Sequence, residues 1–245
     1  MKPLTVGSLF AGIGGFDLGL ERTGGFRVVW QCEIDEYCQR VLAKHWPHVK
    51  RYGDIRELHH VERVDVLCGG FPCQDISFAG TGSGLDGERS SLFFEMVRVL
   101  RLSRARILIV ENSSALLVRG MGRVLAELAA AGFDAEWTVL RACDFGATHE
   151  RERIYIVAYA NESNGEARLG TQQDRQRAVF AEDHHQRLPI WLQAASRFAG
   201  MDDGVRGRAY QDRVGALGNA VVPQIVTWIG KQILDTEDRR QEQIP

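Results

Sequence analysis

Gly69-Gly70-Phe71-Pro72-Cys73-Gln74 puts a cysteine on a glycine-flanked loop directly after an apolar run, Val64 to Cys68. Strand C-termini are where α/β sheets hold their ligands, and a thiol presented there becomes a nucleophile once its pKa is lowered. Gly80, Gly82, Gly84 and Gly87 follow, a composition suited to a lid; a floppy surface loop is the competing reading. Cys32, Cys38, Cys68 and Cys143 suit the description of buried, inert cysteines. Glu111-Asn112 follows a second apolar run, Ile107 to Val110, so its carboxylate would emerge at the same sheet edge as Cys73. That pairs an acid with a nucleophile; an ordinary loop start is the alternative. Arg151 and Arg153, two apart, point the same way on an extended chain. Two guanidinium groups aimed at one place suit a carbonyl, phosphate or carboxylate. A solvated edge, salt-bridged to Glu150 and Glu152, is the rival.

A second constellation lies at the start of the chain. Phe10-Ala11-Gly12-Ile13-Gly14-Gly15-Phe16 sits between a strand pattern and a helix pattern. Glycines there let a ligand approach the backbone, and the helix N-terminus offers free N–H groups. A dinucleotide turn wants a third glycine where Asp17 stands, so by itself the run fits a tight turn as well as a nucleotide site. The next strand ends at Cys32-Glu33, where a carboxylate would meet a ribose beside the switch point of such a sheet. Gly53-Asp54-Ile55 adds an acidic residue at a loop edge, which a turn aspartate would also explain.

The elements that must position these residues alternate short β-rich runs with helical patterns, which predicts a doubly wound α/β sheet. Strands are predicted over Thr5–Phe10, Phe26–Cys32, Val64–Cys68, Ile107–Val110, Glu136–Arg141 and Arg153–Ala158. Helices are predicted up to Arg22, over Asp35–Trp46, from Leu92 to Leu100 after a Ser90 or Ser91 cap, and over Gly122–Ala131. From Asn161 to Arg187 apolar residues become sparse and no period holds, as in a polar surface loop or a segment that orders on binding. A second regular block, Val214 to Leu234, opens on Gly-Ala-Leu-Gly-Asn and continues as an apolar helix after Pro223; the tail Asp235–Pro245 reads as charged and frayed.

Composition narrows the classes. The 245 residues are 44% hydrophobic and 25% charged, as in an ordinary globular protein with a sizeable core. Thirty basic against 32 acidic residues, net −2, exclude a uniformly basic nucleic-acid coat but not a local basic face. Only four of the basic residues are lysines (Lys2, Lys44, Lys50, Lys231). Arginine forks onto phosphates and guanine edges, although codon bias produces the same excess. No apolar run approaches the roughly 20 residues that span a bilayer, and the opening residues leave no room for a signal peptide. Five cysteines without a Cys-x-x-Cys pair suggest neither disulfides nor a zinc site, hence a reducing cytoplasm.

The order of these pieces resembles the C5-cytosine DNA methyltransferase family. Phe-Ala-Gly-Ile-Gly-Gly-Phe resembles its cofactor loop, Phe-Pro-Cys-Gln its nucleophile motif, Glu-Asn its acid motif and Arg-Glu-Arg-Ile-Tyr-Ile-Val its arginine motif. Gly218-Asn219-Ala220-Val221-Val222-Pro223 is similar to the late motif whose helix returns beside the cofactor loop. The match covers Thr5 to Tyr159 and Val214 to Asp235.

The resemblance implies a Rossmann-like class I methyltransferase fold, with a mostly parallel twisted sheet and helices on both faces. It divides the chain into a catalytic and cofactor-binding domain (1–160), a shortened, irregular target-recognition region (161–213) and a C-terminal helix returning to the catalytic domain (214–245). It implies S-adenosylmethionine as methyl donor, S-adenosylhomocysteine as product, and no metal. Phe10, Ala11, Gly12, Ile13 and Gly14 would line the cofactor, Glu33 and Ile34 its ribose side, and Asp54 and Ile55 its adenine. Pro72, Leu92, Asn219 and Ala220 would complete the pocket. Cys73 would attack cytosine C6, Glu111 would contact N3 and the amino group, and Arg153, helped by Arg151, would hold the base carbonyl and depress the thiol pKa.

The implied partner is double-stranded DNA with the target base flipped out, bound by a cytoplasmic monomer of a bacterial or phage-infected cell. The setting would be restriction–modification, a phage, or a solitary methylase. Ser113 stands where the family has Val after Glu-Asn, His149 where many members have Gln, and Ala220 where Ser is common. Asn161–Arg213, with eight arginines and eight acidic residues, replaces a larger target-recognition domain. Sequence reading would then be minimal or delegated to a second chain, with an Arg-lined cleft between this region and the sheet edge. A tRNA-methylating relative and a catalytically idle DNA-binding homologue remain as alternatives. Pro-Cys-Gln and Glu-Asn at neighbouring strand ends disfavour a nicotinamide dehydrogenase, and the lack of a recognisable histidine partner for Cys73 disfavours a cysteine protease.

Overall fold

A computed structural model of the chain describes residues 2–72, 92–161 and 216–242. The elements run β1 (Leu4–Leu9), α1 (Gly15–Glu21), β2 (Phe26–Cys32), α2 (Glu36–His45), β3 (Lys50–Tyr52), β4 (Val66–Gly70) and α3 (Leu92–Ser103). They continue as β5 (Ile107–Ser113), α4 (Leu116–Arg119), α5 (Met121–Ala130), β6 (Phe133–Arg141), β7 (Glu152–Ala160) and α6 (Pro223–Glu242). Cys73, the glycine-rich stretch that follows it, the expected Ser90 or Ser91 cap and the stretch beyond Asn161 expected to serve target recognition with an Arg-lined cleft lie outside the described residues.

The strands form a mixed sheet in the order β3-β2-β1-β4-β5-β7-β6. All pairs from β3 to β5 are parallel; β7 runs antiparallel between β5 and β6. Strand order reverses between β1 and β4, so the C-terminal ends of these two strands flank the crevice where such sheets bind ligands.

Both faces of the sheet are buried, which is why its central strands read as unbroken apolar runs. Val66 and Cys68 of β4, Ile107 and Ile109 of β5, and Val157 of β7 face one core, with Phe16 and Leu20 of α1 and Ile225, Val226, Ile229 and Ile233 of α6. The alternate residues Leu67, Leu108, Val110, Ile154 and Ile156 face the other, with Phe93, Met96 and Leu100 of α3 and Val124 and Leu128 of α5. Each fully buried aliphatic chain contributes roughly 1.5–3 kcal/mol, so helices are held against both faces.

Four sequence expectations are corrected. Strand β5 continues through Glu111, Asn112 and Ser113, because Gly70 pairs with Glu111 on one side and Tyr155 and Arg153 pair with Glu111 and Ser113 on the other. The polar residues therefore lie inside the strand rather than after it. Phe10 is a turn residue with φ 51°, not the end of β1. Cys143 is only partly buried, in a 3-10 turn after β6.

The fourth correction concerns the tail, which extends α6 to Glu242 instead of fraying. Glu237, 6% exposed, pairs with Arg106 and Arg240, and Arg240 stacks 4.7 Å over the Tyr159 ring. Charge here docks the helix rather than solvating it.

Candidate active site

After β1 the chain reverses over Phe10–Gly14. Phe10 takes the left-handed conformation, costing on the order of 1–3 kcal/mol in a non-glycine residue, strain that surrounding structure must hold. The turn is pinned to the end of β2: Ala11 N donates to Cys32 O (3.2 Å) and Gly12 N to Glu33 Oε2 (2.7 Å). Gly14 N closes it by donating to Ala11 O (2.8 Å). Gly12, at φ 55°, has nothing within 4 Å of where a side chain would begin, so the turn opens onto free space.

Glu33 also accepts from Asp35 N (2.9 Å), which fixes its carboxylate at the rim of that space. Beside it Ile34 is 63% exposed, an apolar surface next to the carboxylate and the open turn.

Strand β3 extends the rim. Glu33 N donates to Tyr52 O (3.0 Å), which brings Asp54 alongside. Asp54 caps the 3-10 turn Ile55–Glu57 by accepting from Arg56 N (2.9 Å). The Arg56 guanidinium, 2.6 Å away, holds the Asp54 carboxyl below the usual carboxylate range. Arg98 of α3 donates to Ile55 O (2.7 Å), so the helix beginning at Leu92 braces the turn from below. An open glycine turn, two acidic side chains and an exposed isoleucine at the C-terminal strand ends fit an adenosyl cofactor.

Under the turn, Asp17, Ser8 and Gln31 are fully buried, and Asp17 accepts from Ser8 Oγ and Gln31 Nε2, each at 3.0 Å. Desolvation raises the Asp17 carboxyl to about 6.

The second half of the site stands at the ends of β4 and β5. Glu111 is 7% exposed, and Arg153 Nε lies 3.0 Å from its Oε1. Burial pushes the Glu111 carboxyl above the ordinary carboxylate range, while the charges of Arg153 and then Arg151 pull it back. Gly70 makes room for it: a side chain there would begin 2.6 Å from Glu111 Oε2.

The acid thus lies against the last residue of β4, immediately before Phe71 and the half-buried Pro72, which lead into Cys73. Asn112 donates from Nδ2 to Phe71 O (3.0 Å) and accepts Ser113 N at Oδ1 (2.8 Å), anchoring that loop to the strand carrying the acid. Leu92 packs on the apolar cluster that includes Phe71.

Arg151 immediately precedes β7 and reaches the segment before α6. Its Nη1 donates to Ala220 O (2.8 Å) and its Nη2 to Asn219 O (3.4 Å). The next carbonyl, Val221 O, lies 2.6 Å from where a side chain on Gly15 would begin, so residues 219–221 run between Arg151 and the first residue of α1.

The structure therefore brings Gly12 to Glu33, Glu111 to Arg153 and the Pro72 loop, and Arg151 to Asn219 and Ala220. The tie from Asn112 to Phe71 and the role of Arg98 escape sequence reading: the Glu-Asn motif marks the asparagine but not its partner, and a helical arginine bonded to carbonyls far along the chain leaves no local pattern. Among the described thiols, burial pushes Cys32 and Cys38 up to about 12 and raises Cys68, so none of these three is poised as a thiolate. Among the described residues, no cluster of three metal-ligating side chains and no helix apolar and long enough to cross a membrane is found.

Comparison with known proteins gives one answer. The chain is 38% identical over 166 residues to the type II methyltransferase M.Bsp6I of Bacillus sp. (strain RFL6), covering 64% of this chain and 53% of that protein. It is 36% identical over 159 residues to the type II methyltransferase M.NgoBI of Neisseria gonorrhoeae, covering 62% and 50%. The chain thus spans about half the length of these curated relatives. A crystal structure described as a prophage-encoded putative DNA modification methyltransferase of E. coli superimposes with a TM-score of 0.54 at 23% identity, covering 64% of this chain and 47% of that one. That likeness supports the Rossmann-like methyltransferase fold. The profile of the family described as C-5 cytosine-specific DNA methylase matches residues 4–190, and the chain belongs to that family.

Proposed function

We propose that this chain transfers a methyl group from S-adenosylmethionine to C5 of cytosine in duplex DNA, through a transient bond between Cys73 and C6 of a base turned out of the helix. The observation that carries this reading is the buried Glu111 paired with the half-buried Arg153 against Gly70, two residues before Pro72, where a pyrimidine edge would find an acid and a cation together. Extruding the base costs a few kcal/mol of stacking and pairing, which contacts of this kind must offset.

In this reading the Cys73 thiolate forms the S–C6 bond while the C5–C6 π electrons move toward C5 and the ring nitrogen. Glu111, whose burial favours the protonated form, donates to N3 and accepts from the exocyclic amine, neutralising charge as it develops. Arg153 donates to the ring carbonyl. S-adenosylmethionine, held by Phe10, Ala11, Gly12, Ile13, Gly14, Glu33, Ile34, Asp54, Ile55, Pro72, Leu92, Asn219 and Ala220, supplies an electrophilic methyl group. C5 takes that methyl group as S-adenosylhomocysteine leaves; loss of the C5 proton to water, return of the N3 proton to Glu111 and expulsion of the thiolate then restore the aromatic ring.

The test is covalent trapping. A duplex carrying 5-fluorocytosine has no C5 proton to lose, so protein and DNA should stay joined on a denaturing gel when cofactor is present. Label from tritiated S-adenosylmethionine should enter unmodified duplex but not RNA, and both signals should vanish in Cys73→Ser. Folded, cofactor-loaded protein that gives no adduct would overturn the proposal.

A further inference from the structure

We infer that Arg151 is a positioning residue for the cofactor site rather than a second hand on the target base; the inference rests on the reading just given. Three observations carry it. The Arg151 guanidinium donates to two consecutive backbone carbonyls, Ala220 O at 2.8 Å and Asn219 O at 3.4 Å, whereas Arg153, two residues on, meets the Glu111 carboxylate at 3.0 Å. The adjoining carbonyl, Val221 O, presses on Gly15 so closely that any side chain there would begin 2.6 Å away. Gly15 opens α1 immediately after the turn whose Gly12 N–H is tied to Glu33.

Residues 219–221 are therefore a strut between the arginine strand and the foot of the cofactor turn. Directly beyond the strut the docking continues, with Thr227 Oγ1 donating to Gly19 O (2.8 Å). The two arginines divide their work. One meets the acid, and the other fixes the backbone that returns from the far end of the chain beside the turn. A lysine, with a single compact charge, reproduces only part of a forked contact to two carbonyls.

The experiment separates cofactor affinity from chemistry in the full chain. S-adenosylmethionine binding is measured by calorimetry, and turnover on duplex DNA as KM and kcat, for wild type, Arg151→Met, Arg151→Lys, Arg153→Met and Gly15→Ala. Arg151→Met is expected to raise the cofactor Kd and KM about tenfold, with kcat at saturating cofactor within about threefold of wild type. Arg151→Lys should recover part of the affinity. Arg153→Met should bind cofactor like wild type while losing the 5-fluorocytosine adduct. Gly15→Ala, which pushes the strut from its other side, should copy the Arg151→Met loss, and serves if that variant does not fold. Unchanged cofactor affinity in Arg151→Met, or in Gly15→Ala if only that variant folds, would overturn the inference. So would a fall in kcat without a change in cofactor KM. Wild-type protein that binds no S-adenosylmethionine would instead overturn the functional reading beneath it.

Discussion

The side-chain amide of Asn112 hands a hydrogen to the Phe71 carbonyl across 3.0 Å, joining two segments 41 residues apart in the chain. One belongs to the strand bearing Glu111 and the other contains Phe71, two residues before Cys73 in the chain, so in the reading proposed above this bond ties the strand of the acid to the segment that leads to the thiol. Asn112→Ala leaves the buried Phe71 carbonyl without its donor, at a cost of about 1–3 kcal/mol. The variant should melt several degrees lower and form the 5-fluorocytosine adduct at least about tenfold more slowly. A wild-type trapping rate would mean the loop finds its place without the tie.

Glu111→Gln keeps the shape but removes the exchangeable acid proton. Losing a positioned acid typically costs about a hundredfold to ten-thousandfold in rate. The variant should bind S-adenosylmethionine like wild type, because the turn and Glu33 are untouched, and should lose trapping and turnover together. Rapid-quench measurement of adduct formation separates this from a binding defect. Retained trapping would place the acid elsewhere.

Much of this geometry is legible in the amino-acid sequence, and the remainder has physical reasons to be hidden. The apolar runs of β4 and β5 announce strands buried on both faces, and a glycine turn between strand and helix announces a ligand loop. Strand β3 has no such signature. Its three residues, Lys50-Arg51-Tyr52, are strand only because their backbone pairs with Trp30, Gln31 and Cys32 of β2. Glu111-Asn112-Ser113 lacks β-forming side chains and is extended because pairing on both sides dictates it. Phe10 adopts a conformation that its residue type disfavours, and tertiary context alone decides it. The stretch Asn161–Arg213 carries neither period nor motif, so nothing in its residues announces a role.

The charged end of α6 gives a prediction opposite to the one its composition invites. Glu237 is buried between Arg106, at the entrance to β5, and Arg240, which caps Tyr159. Truncating the chain after Leu234 removes this charge cluster and uncovers the Tyr159 ring. With roughly 1–3 kcal/mol for a partly buried charged network, the melting temperature should fall by about 3–10 °C. Glu237→Gln should reproduce about half of that. A truncated chain as stable as the full one would show that the cluster is only a solvated surface.

Asp17 offers a test of burial energetics beneath the Phe10–Gly14 turn. Desolvation lifts its carboxyl from 3.8 to about 6, against hydrogen bonds from Gln31 and Ser8. A native state that holds its proton more tightly than the unfolded chain loses stability as pH rises, so the penalty is absent below the unfolded value, grows between 3.8 and about 6, and is constant above. Its size is at most about 3 kcal/mol. Asp17→Asn removes the charge while keeping the shape. Ser8 can still donate to the remaining carbonyl, and Gln31, whose Oε1 is buried without a partner, can turn to accept from the new amide. The variant should therefore melt higher than wild type at about pH 8, and the difference should shrink toward zero at about pH 4. Thermal melts across that range measure it directly. A variant less stable than wild type at the upper end would mean that the carboxylate's hydrogen bonds outweigh the cost of burying its charge.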